Sequence, residues 1–150
     1  MKRQKITIGS IVEIPVKGEY YCYAQIVKNS NYAFFDFKSE TKLEDITILN
    51  DKPILFIVGV YNYVVTKGIW LKVGKLDLRE ELEVLPMKYI QDSIDKSFSF
   101  YDPNTGEITP ATREQCLGLE CCAAWEEGHI EDRLFDHYNG VECQWIPEIE

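Results

Sequence analysis

The sequence predicts a mainly β chain of the α+β class: a curled antiparallel sheet or small open barrel with one amphipathic helix near the C-terminus. Three observations carry this. β-Branched and aromatic runs fill the first hundred residues, and short turn signals separate them. A strong hairpin signal lies near residue 103. One segment alone, Glu126 to Tyr138, holds a helical apolar period with a stop signal behind it. At 150 residues the chain has the length of one domain, and residues 1–150 are expected to form a single unit.

The elements follow in order. Ile6 to Val16, Tyr20 to Val27, Tyr32 to Phe37 and Ile54 to Tyr61 read as strands, divided by Lys17-Gly18, Asn29-Ser30-Asn31 and Asp51-Lys52-Pro53. Connections this short imply antiparallel neighbours. In the first run Ile6, Ile8, Val12, Ile14 and Val16 share one parity, the pattern of a half-buried strand, and Pro15 marks an edge or bulge. Ile69 to Gly74 follows Lys67-Gly68 and can return as a further strand. Leu76 to Leu85 is ambiguous, and no role can be assigned to Leu76 through Phe98. Phe98 to Ile108 is the best hairpin signal, because Pro103 presets the first turn angle and Gly106 can take positive φ in a bulge. Thr109 to Leu119 is a connection broken at Gly118. Glu120 to Ala124 is a short strand, and Asn139-Gly140 ends the helix.

Charge is unevenly placed. The formal net charge is −9, yet residues 101–150 hold 2 Lys+Arg and 12 Asp+Glu, a local −10. Such a surface repels phosphate backbones and attracts basic partners, which argues against direct nucleic-acid binding. Residues 1–10 are followed by no apolar core of signal-peptide length, and the longest apolar stretch, residues 54–61, is far short of a membrane span. A cytoplasmic chain without membrane contact is expected. Five cysteines, an odd number that includes adjacent Cys121 and Cys122, do not form a disulfide framework and are read as reduced thiols.

The helix itself carries an unusual charge pattern. Ile130, Leu134 and Tyr138 make one buried stripe, while Glu127 with Glu131 and Asp132 with Asp136 place like charges four residues apart. Each such pair costs about 0.2–0.5 kcal/mol. Asp136 also sits at the negative end of the helix dipole. Arg133, three residues before Asp136, is expected to relieve that repulsion. A purely structural helix has little use for this pattern, so Glu127, Glu131, Asp132, Phe135 and Asp136 are the candidate partner-binding residues. Phe135 is included because it lies off the apolar stripe; Trp125 and Tyr138 are read as core.

No catalytic residue is nominated. His129 and His137 stand eight residues apart on one helix, about 12 Å along its axis, too far to share a zinc ion, and there is no Cys-x-x-Cys. Cys121 or Cys122 beside His129 could be imagined as a nucleophile pair, but no oxyanion-hole loop, phosphate cradle or nucleophile elbow accompanies it. A non-enzymatic chain with no metal and no cofactor is expected. A second reading is a small β-domain that binds a small ligand or metal in a pocket lined by Tyr20 to Tyr23, Trp70 and the cysteines. An exposed strand edge leaves both monomer and homodimer open.

Several segments together resemble the immunity protein 26 family of bacterial polymorphic toxin systems. They are Gly9-Ser10-Ile11-Val12-Glu13-Ile14-Pro15, Tyr23-Ala24-Gln25-Ile26-Val27, Phe34-Phe35-Asp36, Trp70-Leu71-Lys72-Val73-Gly74, Gly118-Leu119-Glu120, Ala123-Ala124-Trp125 and His129-Ile130-Glu131-Asp132-Arg133-Leu134. The resemblance spans nearly the whole chain, and the pattern from Trp125 to Tyr138 is its most specific part. It implies a mostly β inhibitor without catalytic residues, whose partner is a cognate toxin. Joined to the acidic C-terminal third, it implies a toxin with a basic surface, such as a nuclease.

Overall fold

A computed structural model describes residues 3–149. Ten strands form two mixed sheets, and no barrel closes among the described residues. The larger sheet has six strands: β1 (Ser10–Val16), β2 (Tyr20–Ile26), β3 (Asn31–Ser39), β4 (Ile54–Val60), β5 (Leu71–Lys75) and β10 (Ala124–Trp125), in the order β10-β4-β3-β2-β1-β5. The smaller has four: β6 (Lys88–Gln91), β7 (Phe98–Tyr101), β8 (Ile108–Ala111) and β9 (Glu120–Cys121), in the order β8-β7-β6-β9. The described residues also hold three α-helices, α1 (Tyr63–Thr66), α2 (Arg113–Cys116) and α3 (Glu127–Tyr138), and two 3-10 helices, Ile46–Asp51 and Glu80–Leu82. The mainly β expectation with a C-terminal helix therefore holds, but the strands divide between two sheets.

The second to fourth strands form close to where the sequence places them and the first starts late, at Ser10 rather than Ile6, with Ile8 exposed ahead of it; all four are joined as antiparallel neighbours. Lys17 (φ 54°) and Gly18 (φ 71°) both take positive φ, and the Glu19 amide donates to the Val16 carbonyl at 2.9 Å, closing a turn whose twist suits a hairpin. Pro15 lies beyond the reach of β5, which pairs only with Ser10–Glu13, so its missing N–H faces no strand. At the β7–β8 hairpin, Gly106 takes φ 81° and its amide reaches the Asp102 carbonyl at 2.7 Å, as the bulged turn requires.

Two pairings are parallel: β10 with β4 and β9 with β6. Glu120 to Ala124, expected as one strand, is thus split between the sheets, as β9 and the start of β10. Gly59 permits the first pairing, since a Cβ there would stand 3.1 Å from the Ala123 carbonyl oxygen. α2 begins with a capping box in which Thr112 and Gln115 satisfy each other's backbone amides.

The main core lies between one face of the large sheet and α3. Val12, Ile14, Val16, Cys22, Ala24, Ile26, Phe34 and Val58 come from the strands, Trp70 from the approach to β5, and Ile130 and Leu134 from the helix. The opposite face is also covered, which explains why β1 is buried on both parities. Ile11, Tyr23, Phe35 and Leu49 form one cluster there, and Val27, Ala33, Leu82 and Leu85 another. The unassigned stretch thus gains a role: Leu76, Leu78, Leu82 and Leu85 roof the reverse side of the sheet.

Among the described residues the small sheet contributes nothing to these clusters. Polar joints fasten it instead. Lys88, almost wholly buried, donates from Nζ to Asn31 Oδ1 at 2.6 Å, and burial pushes its ammonium below the usual lysine range. Asn29 Nδ2 donates to the Pro103 carbonyl at 2.6 Å.

Candidate functional site

Ile130 and Leu134, fully buried, fix the inner side of α3 on β1, and the five candidate residues are all half-buried around it. Tyr138 joins that stripe half-buried, its hydroxyl donating to Asp36 Oδ1 at 3.1 Å. The helix ends in a Schellman motif: the Gly140 amide (φ 70°) donates to the His137 carbonyl at 3.2 Å and the Val141 amide to the Asp136 carbonyl at 3.0 Å.

Four of the five residues gather around a cation that sequence reasoning missed. Lys17, at the tip of the β1–β2 turn, pairs directly with Asp132, lies 6.0 Å from the Phe135 ring centre, and stands in the fields of Glu131 and Asp136. Lys17 and Asp132 are 115 residues apart, so spacing alone carries no signal for the pair. Phe135 packs partly against the main core beneath it. Glu127 stands apart, accepting a hydrogen bond from the Tyr63 hydroxyl at 2.7 Å. Three carboxylates therefore meet one lysine, which offsets part of their mutual repulsion.

Arg133 does not serve Asp136. Its guanidinium turns inward, 9 % exposed, and donates from both terminal nitrogens to the Glu120 carboxylate at 3.0 and 2.6 Å. It also lies 3.7 Å from the Phe56 ring centre and 5.1 Å from that of Trp125. It ties the helix to the small sheet.

The C-terminal tail adds a second missed feature. Trp145 stacks on His129 at 3.7 Å between ring centres and donates from Nε1 to Asp132 Oδ2 at 2.7 Å. Asp132 is thus held by Lys17 first and Trp145 second, and both keep its carboxyl below the usual aspartate range. Burial acts the other way on Glu131, raising its carboxyl.

These shifts set a pH dependence. A carboxyl whose folded pKa is depressed adds stability above its unfolded value of about 4 and loses it as pH falls through the folded one. Asp132→Asn is expected to melt below the wild type at pH 7, with the gap closing toward pH 3. Thermal melts across that range check it; a gap independent of pH would mean the aspartate charge contributes nothing.

The small-ligand pocket read from Tyr20 to Tyr23, Trp70 and the cysteines is not assembled. Trp70 and Cys22 are fully buried in the main core, whereas Tyr23 packs in the cluster on the other face. Strand alternation separates neighbours that sequence adjacency suggested belonged together. Among the described residues no three His, Cys, Asp or Glu side chains are grouped to hold a metal ion. Burial pushes the Cys121 and Cys122 thiols up, opposite to what a thiolate nucleophile needs. No helix in the described residues is long and apolar enough to cross a membrane.

No curated protein and no solved structure matches the chain. The sequence model of one family, immunity protein 26, matches residues 7–100, from the approach to β1 through most of β7. The matched part supplies the large sheet except β10, together with its reverse cover. α3 and the acidic third lie beyond it, so the resemblance read at Trp125 to Tyr138 falls outside the matched residues. With most of its length matched, the chain belongs to the immunity protein 26 family, and its role is that of an immunity protein.

Proposed function

We propose that the protein acts in the bacterial cytoplasm as the antidote of a polymorphic toxin system. It binds a cognate toxin domain and blocks it without catalysis of its own. Glu127, Glu131, Asp132, Phe135 and Asp136 of α3 meet a basic surface on the toxin. The observation that carries this is the segregation of charge in an immunity protein: a local −10 in residues 101–150, with three carboxylates of one helix facing a single lysine and a fourth, Glu127, held by Tyr63. A toxin that cleaves nucleic acid must be positive where phosphates bind, and an acidic face can occupy that site in place of substrate.

Co-expression with the toxin domain encoded beside the gene tests the class, and rescue of growth is expected. The quadruple variant E127Q/E131Q/D132N/D136N tests the face. Amide oxygens still accept from Tyr63 and Trp145, so the fold is retained, at the lower melting temperature expected of Asp132→Asn, while charge is lost. Its association rate at low salt is expected to fall by about tenfold to a hundredfold, with a flattened salt dependence and weakened rescue. A variant that protects fully and keeps the wild-type salt dependence would remove this face from the interface.

A further inference from the structure

A groove of about 490 Å³ opens between β4, the C-terminal half of α3 and the tail that follows it. Its floor is apolar, from Leu55 and Phe56, and the tail adds Val141 and Ile146 as walls. Glu142 and Glu148 line it as well, and neither carboxylate has a protein partner among the described residues. The basic groups at the groove already have partners: Arg133 is held by both oxygens of Glu120, and His137 Nε2 lies 3.9 Å from Asp36 Oδ1.

We propose that this groove receives a basic side chain of the toxin, an arginine or lysine, with an adjoining apolar residue. This deepens the inhibitor reading given above and rests on it. An aliphatic stem with a charged end matches an apolar floor beside two unpaired carboxylates, while an anionic group would meet those carboxylates with no free cation to hold it. The volume lies within the range of pockets that enclose drug-sized groups, enough for such a side chain and its neighbour. Location adds a second argument. The floor belongs to the family-matched residues, whereas both glutamates and both tail walls lie beyond residue 100. An immunity protein must distinguish its own toxin, and a rim outside the shared scaffold is where that discrimination can sit.

The test uses the full chain and two variants, E142Q/E148Q and the plug Val141→Trp, both at surface positions. Each is expected to melt within about 2 °C of wild type. Each is also expected to bind the purified neighbouring-gene toxin domain at least about tenfold more weakly. If wild type protects cells but both variants bind like wild type, the groove proposal is overturned and the inhibitor reading stands. A second arm needs no toxin: methyl NMR during titration with the tripeptide acetyl-Leu-Arg-Leu-amide. Shifts at Leu55, Val141 and Ile146 that the glutamate analogue fails to produce support the groove even if that toxin is not the cognate one. Absent or unselective shifts overturn it.

Discussion

Trp70→Ala is expected to destabilise the protein by about 4 kcal/mol, lowering the melting temperature by about 8–16 °C. The side chain is fully buried and meets Tyr32 and Phe34 edge-on, with ring centres 6.2 and 6.0 Å apart. Among the described residues its indole N–H has no hydrogen-bond partner, so the loss is one of packing. Trp70→Phe, which keeps a ring and discards an unsatisfied donor, should therefore cost only about 1–2 kcal/mol. Urea denaturation of both variants checks the ranking. Equal losses would show that the indole nitrogen contributes more than the ring.

How much of this was legible in the sequence depends on the range of each interaction. Lys17-Gly18 and Asp102 to Gly106 announced their turns because positive φ and a proline are local requirements. α3 was legible from Ile130, Leu134, Tyr138 and Gly140 for the same reason. The parallel pairing of Ala124-Trp125 with Gly59-Val60 left no such mark, since two-residue strands are set by tertiary contact. The leucines at 76, 78, 82 and 85 keep neither strand nor helix period, because they cover a sheet from an irregular segment.

The candidate site divides along the same line. Its acidity was visible, and so was the implausibility of like charges four residues apart in an unsupported helix. What offsets them was not visible. Lys17 arrives from the far end of the chain, and Trp145 folds back from the tail. The charges of α3 thus do two things: Asp132 anchors the hairpin tip and tail, while Glu131 and Asp136 add negative potential around that anchor. The family-matched residues are nearly neutral, and the surplus of acid lies in the sequence beyond residue 100.

Arg133→Ala is expected to cost about 2–3 kcal/mol, or about 4–12 °C in melting temperature. The figure sits below that for a fully buried ion pair because the Glu120 side chain is 27 % exposed and water can take over part of its solvation. Two losses combine. Glu120 keeps its charge without the guanidinium that held both oxygens, and Phe56 and Trp125 lose the flat cation packed near their rings. Arg133→Lys should recover less than half of the loss, since a single ammonium cannot bond both carboxylate oxygens and stack at once. Glu120→Gln should cost less than either, leaving Arg133 a neutral acceptor and its aromatic neighbours. The double variant Arg133→Ala with Glu120→Gln completes a thermodynamic cycle, and a coupling of about 1 kcal/mol or more is expected. Additive losses would mean that Arg133 acts through packing alone. Because this contact ties α3 to β9, its loss should also loosen the acidic face, so amide exchange in α3 should accelerate in Arg133→Ala beyond what the global destabilisation explains.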